Sequence, residues 1–243
     1  MITGEAGRPL AIVALTRQGA RLGALLLAGL EGSQLYVAER FAPEAGAGAV
    51  PFREPAAALL ARLFPACRGL VLLFSLGAAV RLLAPLVRDK RTDPAVVVVD
   101  DAGRFAIAAL AGHLGGANDL ARRVADILGA QPVITTASDV QGTLAVDLLG
   151  REWCWRLEGE EAVTRASAAV VNGDPVGIFQ DAGETGWWPA GRPLPAHITV
   201  YDTLAALVAA RPAAALVITD RLVEDELAPL AGRYVVYRPR SLA

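Results

Sequence analysis

The chain has 243 residues, 54% of them hydrophobic and 20% charged, and a formal net charge of -2. Such a length suits one large domain or two small ones with a substantial core, and the near-balanced charge gives no argument for nucleic acid or a membrane surface as partner. Apolar runs such as residues 69–80 are too short to cross a bilayer, no signal-peptide pattern opens the chain, and two cysteines, Cys67 and Cys154, are too few for a disulfide framework or a zinc site, which together lead us to expect a cytoplasmic setting.

In chain order, residues 10–15 form an apolar run that reads as a strand ending at Thr16, and residues 20–30 read as a well-buried helix. Residues 35–38 suit a short strand, 41–50 a Gly-, Ala- and Pro-rich loop, and 55–64 a helix with Pro55 in its first turn. A strand over 69–75 leads to a helix over 77–87 that Pro85 kinks or ends. A strand over 95–100 then meets Asp101-Ala102-Gly103, a hairpin-like turn into a strand over 104–110. Gly112-His113-Leu114-Gly115-Gly116-Ala117-Asn118 follows, then a helix over 119–128 and a strand over 132–136. Residues 144–149 and 160–171 look helical, 175–180, 198–201, 215–219 and 234–237 look extended, and 181–195 reads as loop. Trp153, Trp155, Trp187 and Trp188 all fall in this later part and suit core packing more than ligand stacking.

Apolar strands alternating with helices predict an α/β fold. We expect a Rossmann-like, mostly parallel sheet with helices on both faces over residues 1–140, and a second, smaller α/β domain over 141–243. Ligands of such sheets bind beyond the carboxyl ends of the strands. That expectation gathers Thr16, Gly77, His113 with Gly115 and Gly116, and Thr135 with Thr136 on one edge.

The Gly112–Asn118 segment carries the most chemistry. Glycines between a strand and a helix let backbone approach a ligand, and a helix start offers N–H groups to an anion. The segment lacks the spacing of the dinucleotide fingerprint and of the phosphate-binding P-loop. His113 is one of two histidines, and a lone histidine also suits a structural hydrogen bond. Basic residues Arg81, Arg88, Lys90, Arg91 and Arg104 form a cluster suited to carboxylates or to a solvated face, and Lys90 is the single lysine. Asp93 before Pro94 equally reads as a turn residue, and Thr135-Thr136 as a strand end.

The run Arg81…Asp89-Lys90-Arg91-Thr92-Asp93-Pro94, then Asp100-Asp101-Ala102-Gly103-Arg104-Phe105, Gly112 to Asp119 and Pro132 to Asp139 resembles the CbiG family of cobalamin biosynthesis. The resemblance is strongest over residues 70–147 and weaker beyond. Many family members continue into a C-terminal domain, so a separately encoded C-terminal domain, or a truncated chain, is expected. Ser138 stands where the family's motif has Thr, a swap that keeps the hydroxyl.

The resemblance implies a cobalt-precorrin-5A hydrolase, a hydrolase acting on a carbon–carbon bond in anaerobic vitamin B12 synthesis. Water opens a lactone between the ring-A acetate and C20 of a cobalt tetrapyrrole. C20 and its methyl group leave as acetaldehyde, with contraction of the macrocycle, to give cobalt-precorrin-5B. Cobalt travels with the substrate, so neither a resident cofactor nor a protein metal site is expected. His113 is the candidate general base, Asn118 orients water or His113, and Asp139 or Asp93 serves as a second base. Gly115 and Gly116 N–H groups suit the oxyanion. Thr16, Gly77, Arg81, Lys90, Arg91, Thr135 and Thr136 complete the expected substrate contacts. Partners expected are the cobalt-tetrapyrrole substrate, a separate C-terminal domain or neighbouring pathway enzymes, and a second copy in a homodimer. Two other readings stay open: a corrinoid-binding carrier module and a nucleotide-binding α/β regulator, the latter disfavoured by the missing phosphate motifs.

Overall fold

A computed structural model of the chain describes residues 7–89, 91–113 and 115–239, with the backbone alone at Glu160. Lys90 and Leu114 therefore lie outside the described residues. The chain divides into two compact units, Ile2–Thr136 and Ala137–Ala243.

The first unit runs β1 (Leu10–Ala14), α1 (Arg17–Gly29), β2 (Ser33–Ala38), α2 (Ala42–Ala45), β3 (Val50–Phe52), α3 (Ala56–Leu63), β4 (Gly69–Leu73), α4 (Leu76–Leu83), β5 (Ala95–Val99), β6 (Phe105–Leu110), α5 (Ala117–Leu128) and β7 (Gln131–Val133). Among the described residues these strands form a seven-stranded sheet in the order β3-β2-β1-β4-β5-β6-β7. Side chains alternate across it: Leu10, Ile12 and Ala14 join one core with α1 and α5, while Ala11 and Val13 join the other with α3 and α4. Burial on both faces is why β1, β4 and β5 read as unbroken apolar runs.

β1 to β5 are mutually parallel, but β6 pairs with β5 antiparallel and β7 pairs with β6 parallel. The reversal occurs in the turn at Asp100. Gly103 N–H donates to Asp100 O at 2.9 Å, and Gly103 sits at φ +68°, where an L side chain is strained. The Asp100 carboxylate accepts the Arg104 and Phe105 N–H groups at 2.8 and 2.7 Å and the Ala102 N–H at 3.3 Å. Thr16 ties this hairpin to α1: its Oγ1 caps the helix by accepting Gly19 N–H at 2.9 Å and donates to Asp101 Oδ1 at 2.5 Å.

The second unit runs α6 (Ala137–Gln141), β8 (Arg156–Glu158), α7 (Glu160–Asn172), β9 (Val176–Gln180), β10 (Ile198–Tyr201), α8 (Leu204–Ala210), β11 (Ala214–Ile218), α9 (Glu224–Leu227) and β12 (Tyr234–Arg238). Among the described residues its five-stranded sheet has the order β10-β9-β11-β12-β8, parallel except for the β12–β8 pair. Residues 144–149, expected as helix, instead form turns, with Leu144, Val146 and Leu149 packed into the core under α7. Tyr237 donates from its buried hydroxyl to Val146 O at 2.7 Å and so fixes this irregular stretch. Arg238 is fully buried; its guanidinium donates to Glu158 at 2.8 Å, to Glu224 at 2.8 Å and to the Thr219 and Arg221 carbonyls. The indole N–H groups of Trp155, Trp187 and Trp188 donate to Glu184, Gln180 and Arg192 O, and the Trp153 and Trp155 rings lie 5.2 Å apart. The tryptophans thus act as packing groups. Among the described residues no helix is long and apolar enough to cross a membrane.

Replacing Asp100 by Ala removes the acceptor shared by Ala102, Arg104 and Phe105 and should cost about 1–2 kcal/mol in equilibrium urea unfolding, while Asp100→Asn, which keeps an acceptor oxygen, should lose less. Burial, and secondarily the negative charge of Asp147, raise the Tyr237 phenol well above its ordinary 10.0. The folded protein then binds that proton more tightly than the unfolded chain, so stability present at neutral pH falls as pH rises past 10.0. Tyr237→Phe should cost about 1 kcal/mol near neutrality and flatten that alkaline loss, read from unfolding curves across pH.

Candidate functional site

The reversal at Asp100 decides where the glycine-rich segment lies. β6 runs back along β5, so Leu110 at its end pairs with Val96 near the start of β5. An irregularity in register just there leaves Ala109 as an extra residue between Ala108 and Leu110, which re-aims the chain as it leaves the sheet. Residues 111–113, 115 and 116 therefore sit at the amino ends of β1, β4 and β5. A small cleft opens at that edge, lined by Leu10, Gly69, Ala95, Gly115 and Gly116 among others.

This corrects the expectation that the candidate loops share one edge. Thr16 and Gly77, which follow β1 and β4, lie at the carboxyl ends of the parallel strands. Arg104, at the start of β6 and 3.8 Å from Asp100, belongs to that same carboxyl edge. The end of β6 with His113, Gly115 and Gly116, and the end of β7 with Thr135 and Thr136, lie at the opposite edge. Arg88, Arg91 and Asp93, which precede β5, share this amino edge with His113. Arg81 lies within α4 and donates to Gly77 O at 3.1 Å, an interaction inside its own helix. Asp139 belongs to α6 of the second unit.

Local geometry accounts for each glycine. A Cβ on Gly115 would lie 2.4 Å from Ala111 Cβ and 2.9 Å from Ala111 O, which no backbone tolerates. On Gly112 it would lie 2.9 Å from Asn118 Oδ1 and 3.0 Å from Thr136 Cγ2. Gly116 takes φ +83° at the start of α5, and Ala111 carries the same left-handed conformation at +54°. The Asn118 side chain is 3% exposed, and its Nδ2 donates to Thr136 Oγ1 at 2.7 Å, which joins the start of α5 to the segment after β7.

Two expected roles meet other uses in the structure. Gly116 N–H donates to His113 O at 3.0 Å, and the next two amides of the helix start, Ala117 and Asn118, donate to Ala111 O and Gly112 O at 3.1 and 3.0 Å. The loop's own carbonyls thus occupy donors expected for an oxyanion. The Asp93 carboxylate is buried and accepts Arg88 N–H at 3.0 Å, which closes the 88–93 turn. His113 is half-buried, two residues before Gly115, which lines the cleft. Among the described residues no group of three or more His, Cys, Asp or Glu is placed to hold a metal ion.

Sequence reasoning missed Arg68 and Arg123, which line the cleft. Arg68 stands immediately before β4 and Arg123 on α5. Following the chain reversal through the predicted hairpin would have brought strand starts, and with them Arg68, next to the Gly115-Gly116 loop.

Two family models match the chain in succession: "Cobalamin synthesis G N-terminal" over residues 58–139 and "Cobalamin biosynthesis central region" over residues 144–239. A protein of Priestia megaterium named cobalt-precorrin-5A hydrolase is 43% identical over 235 residues, 96% of this chain. The chain belongs to the CbiG family. A protein of the same name from Salmonella typhimurium is 39% identical over 174 residues, 71% of this chain. The alignments span 63% and 48% of those two relatives, so the chain spans less than two thirds of the length of the curated CbiG relatives it matches. A solved structure of a cobalamin biosynthesis protein G homologue from Sulfolobus solfataricus has a TM-score of 0.49 and 18% identity, covering 96% of this chain and 60% of that one.

Alanine at the two kinds of glycine should separate the edges. Gly115→Ala forces the Ala111 backbone away and should destabilise by about 1–3 kcal/mol. Gly77→Ala, whose Cβ meets only the Arg81 guanidinium at 3.4 Å within a helix, should be neutral or slightly stabilising in the same unfolding measurement.

Proposed function

We propose that this CbiG chain acts on cobalt-precorrin-5A, opening its ring-A lactone and releasing C20 with its methyl group as acetaldehyde to give cobalt-precorrin-5B. The observation that carries the reading is 43% identity over 96% of the chain to a relative named cobalt-precorrin-5A hydrolase, with the Gly112–Asn118 segment folded beside a cleft. Cobalt enters and leaves as part of the substrate, with no resident cofactor, and the reaction runs in the cytoplasm.

In this reading water adds to the lactone carbonyl, and the bond from the ring oxygen to that carbonyl breaks. The products are the ring-A carboxylate and a C20 alcohol. His113, half-buried and two residues before the cleft-lining Gly115, takes the proton of the attacking water. With Gly116 N–H held by His113 O, the oxyanion donor from this loop is the Gly115 N–H. The C20 alcohol then loses its proton, the carbon–carbon bond to the macrocycle breaks, and its electron pair stays with the macrocycle, which takes up a proton. Asn118, locked to Thr136, is a positioning residue for the loop that carries His113. The Asp93 carboxylate is already engaged in closing a turn, which argues against it as the second base. Arg88 and Arg91 provide positive charge at the same edge as His113.

The test is anaerobic incubation of the chain with cobalt-precorrin-5A and assay of acetaldehyde. Release is expected from the wild type. His113→Ala should lower turnover by 10²-fold or more, about the contribution of a general base, with substrate affinity retained. Unchanged turnover in His113→Ala removes His113 from the chemistry. Substrate binding by the wild type without release assigns the chain as a corrinoid-binding module instead.

A further inference from the structure

We infer that Arg68 and Arg123 form a carboxylate-binding clamp across the amino-edge cleft, and that it takes one acidic side arm of the tetrapyrrole rather than the macrocycle. The clause about the tetrapyrrole rests on the function proposed above; the clamp itself rests on the cleft.

Arg68 is held by its backbone at the centre of the sheet edge. Its N–H donates to Pro9 O at 3.1 Å and its carbonyl accepts Ala95 N–H at 3.2 Å, so it sits between the starts of β1 and β5. Its side chain is half-buried and lines the cleft. Arg123, exposed on α5 between buried Leu120 and Val124, lines the cleft as well. Among the described residues no acidic side chain lines the cleft. Among the described residues, neither guanidinium has a side-chain hydrogen bond or ion pair, whereas Arg17, Arg53, Arg62 and Arg122 are matched by Glu44, Glu39, Glu54 and Asp119. Two guanidiniums that line one cleft without an ion-pair partner draw an anion, and the planar fork of Arg fits a carboxylate with two parallel hydrogen bonds. The cleft is far too small for a corrin ring, so what reaches it is the carboxylate end of an acetate or propionate arm. The Gly115-Gly116 wall brings the loop of His113 to the same cleft. An arm gripped there sets the macrocycle's position relative to that histidine.

The test uses the full chain with cobyrinic acid, a cobalt corrinoid with free carboxylates, and with its methyl ester, by equilibrium dialysis followed through corrinoid absorbance. The wild type should retain the acid and not the ester. Arg68→Gln and Arg123→Gln should each weaken binding of the acid by about tenfold, as loss of a charged bidentate contact does. Arg122→Gln, one residue away and paired with Asp119, should bind as the wild type does. Equal binding of acid and ester, unchanged affinity in both cleft variants, or an equal loss in Arg122→Gln overturns the clamp. Acetaldehyde release in the same set keeps the two readings apart. Arginine-dependent binding without release leaves the clamp standing and removes the hydrolase. Release with both cleft variants at wild-type KM does the reverse, and a rise in KM at constant kcat supports both.

Discussion

One carboxylate governs how the first unit is laid out. Asp100 receives three backbone N–H groups in the turn after β5, and that turn sends β6 back against the direction of the five strands before it. Every later element of the unit inherits the reversal. α5 and β7 follow β6, and the Gly112–Asn118 loop emerges where β1, β4 and β5 begin rather than where they end. An open parallel sheet ordinarily keeps its ligand loops at the carboxyl ends. Here the hairpin gives the opposite edge a strand-to-helix loop of its own, bounded by Gly115, Gly116 and the strand starts.

The loop at that edge is stabilised mainly from within. Ala111 and Gly112 carbonyls receive the first amides of α5, the His113 carbonyl receives Gly116 N–H, and Asn118 holds Thr136. Left-handed conformations at Ala111 and Gly116 are the cost of this closed arrangement. The neighbouring cleft adds charge to this shape through Arg68 and Arg123, so structure and electrostatics at the edge come from different elements.

The alternation of buried strands and helices was legible because burial on both faces makes β1, β4 and β5 unbroken apolar runs. The Asp101-Ala102-Gly103 turn was legible too, from its turn residues, yet a reading in one dimension does not carry the turn's effect on direction forward to His113. The short strands β3 and β8, three residues each, hold too little pattern to detect. Residues 144–149 have apolar spacing close to that of a helix, and the difference lies in distant partners: Tyr237 bonds Val146 O from 91 positions away. Gly115 and Gly112 were legible as a loop, but which amides remained for a ligand depended on carbonyls that only the folded loop brings close. Asp93 illustrates the same limit, since its buried oxygens serve the Arg88 amide.

The placement of the indoles has a spectroscopic consequence. All four tryptophans of the chain lie beyond residue 150, in the unit that begins at Ala137. Intrinsic emission from indole therefore watches one unit alone, whereas far-ultraviolet dichroism sums the helices of both. Two melting curves recorded on one sample become a direct gauge of cooperativity: superposition means the halves unfold as one, and separation gives each its own midpoint.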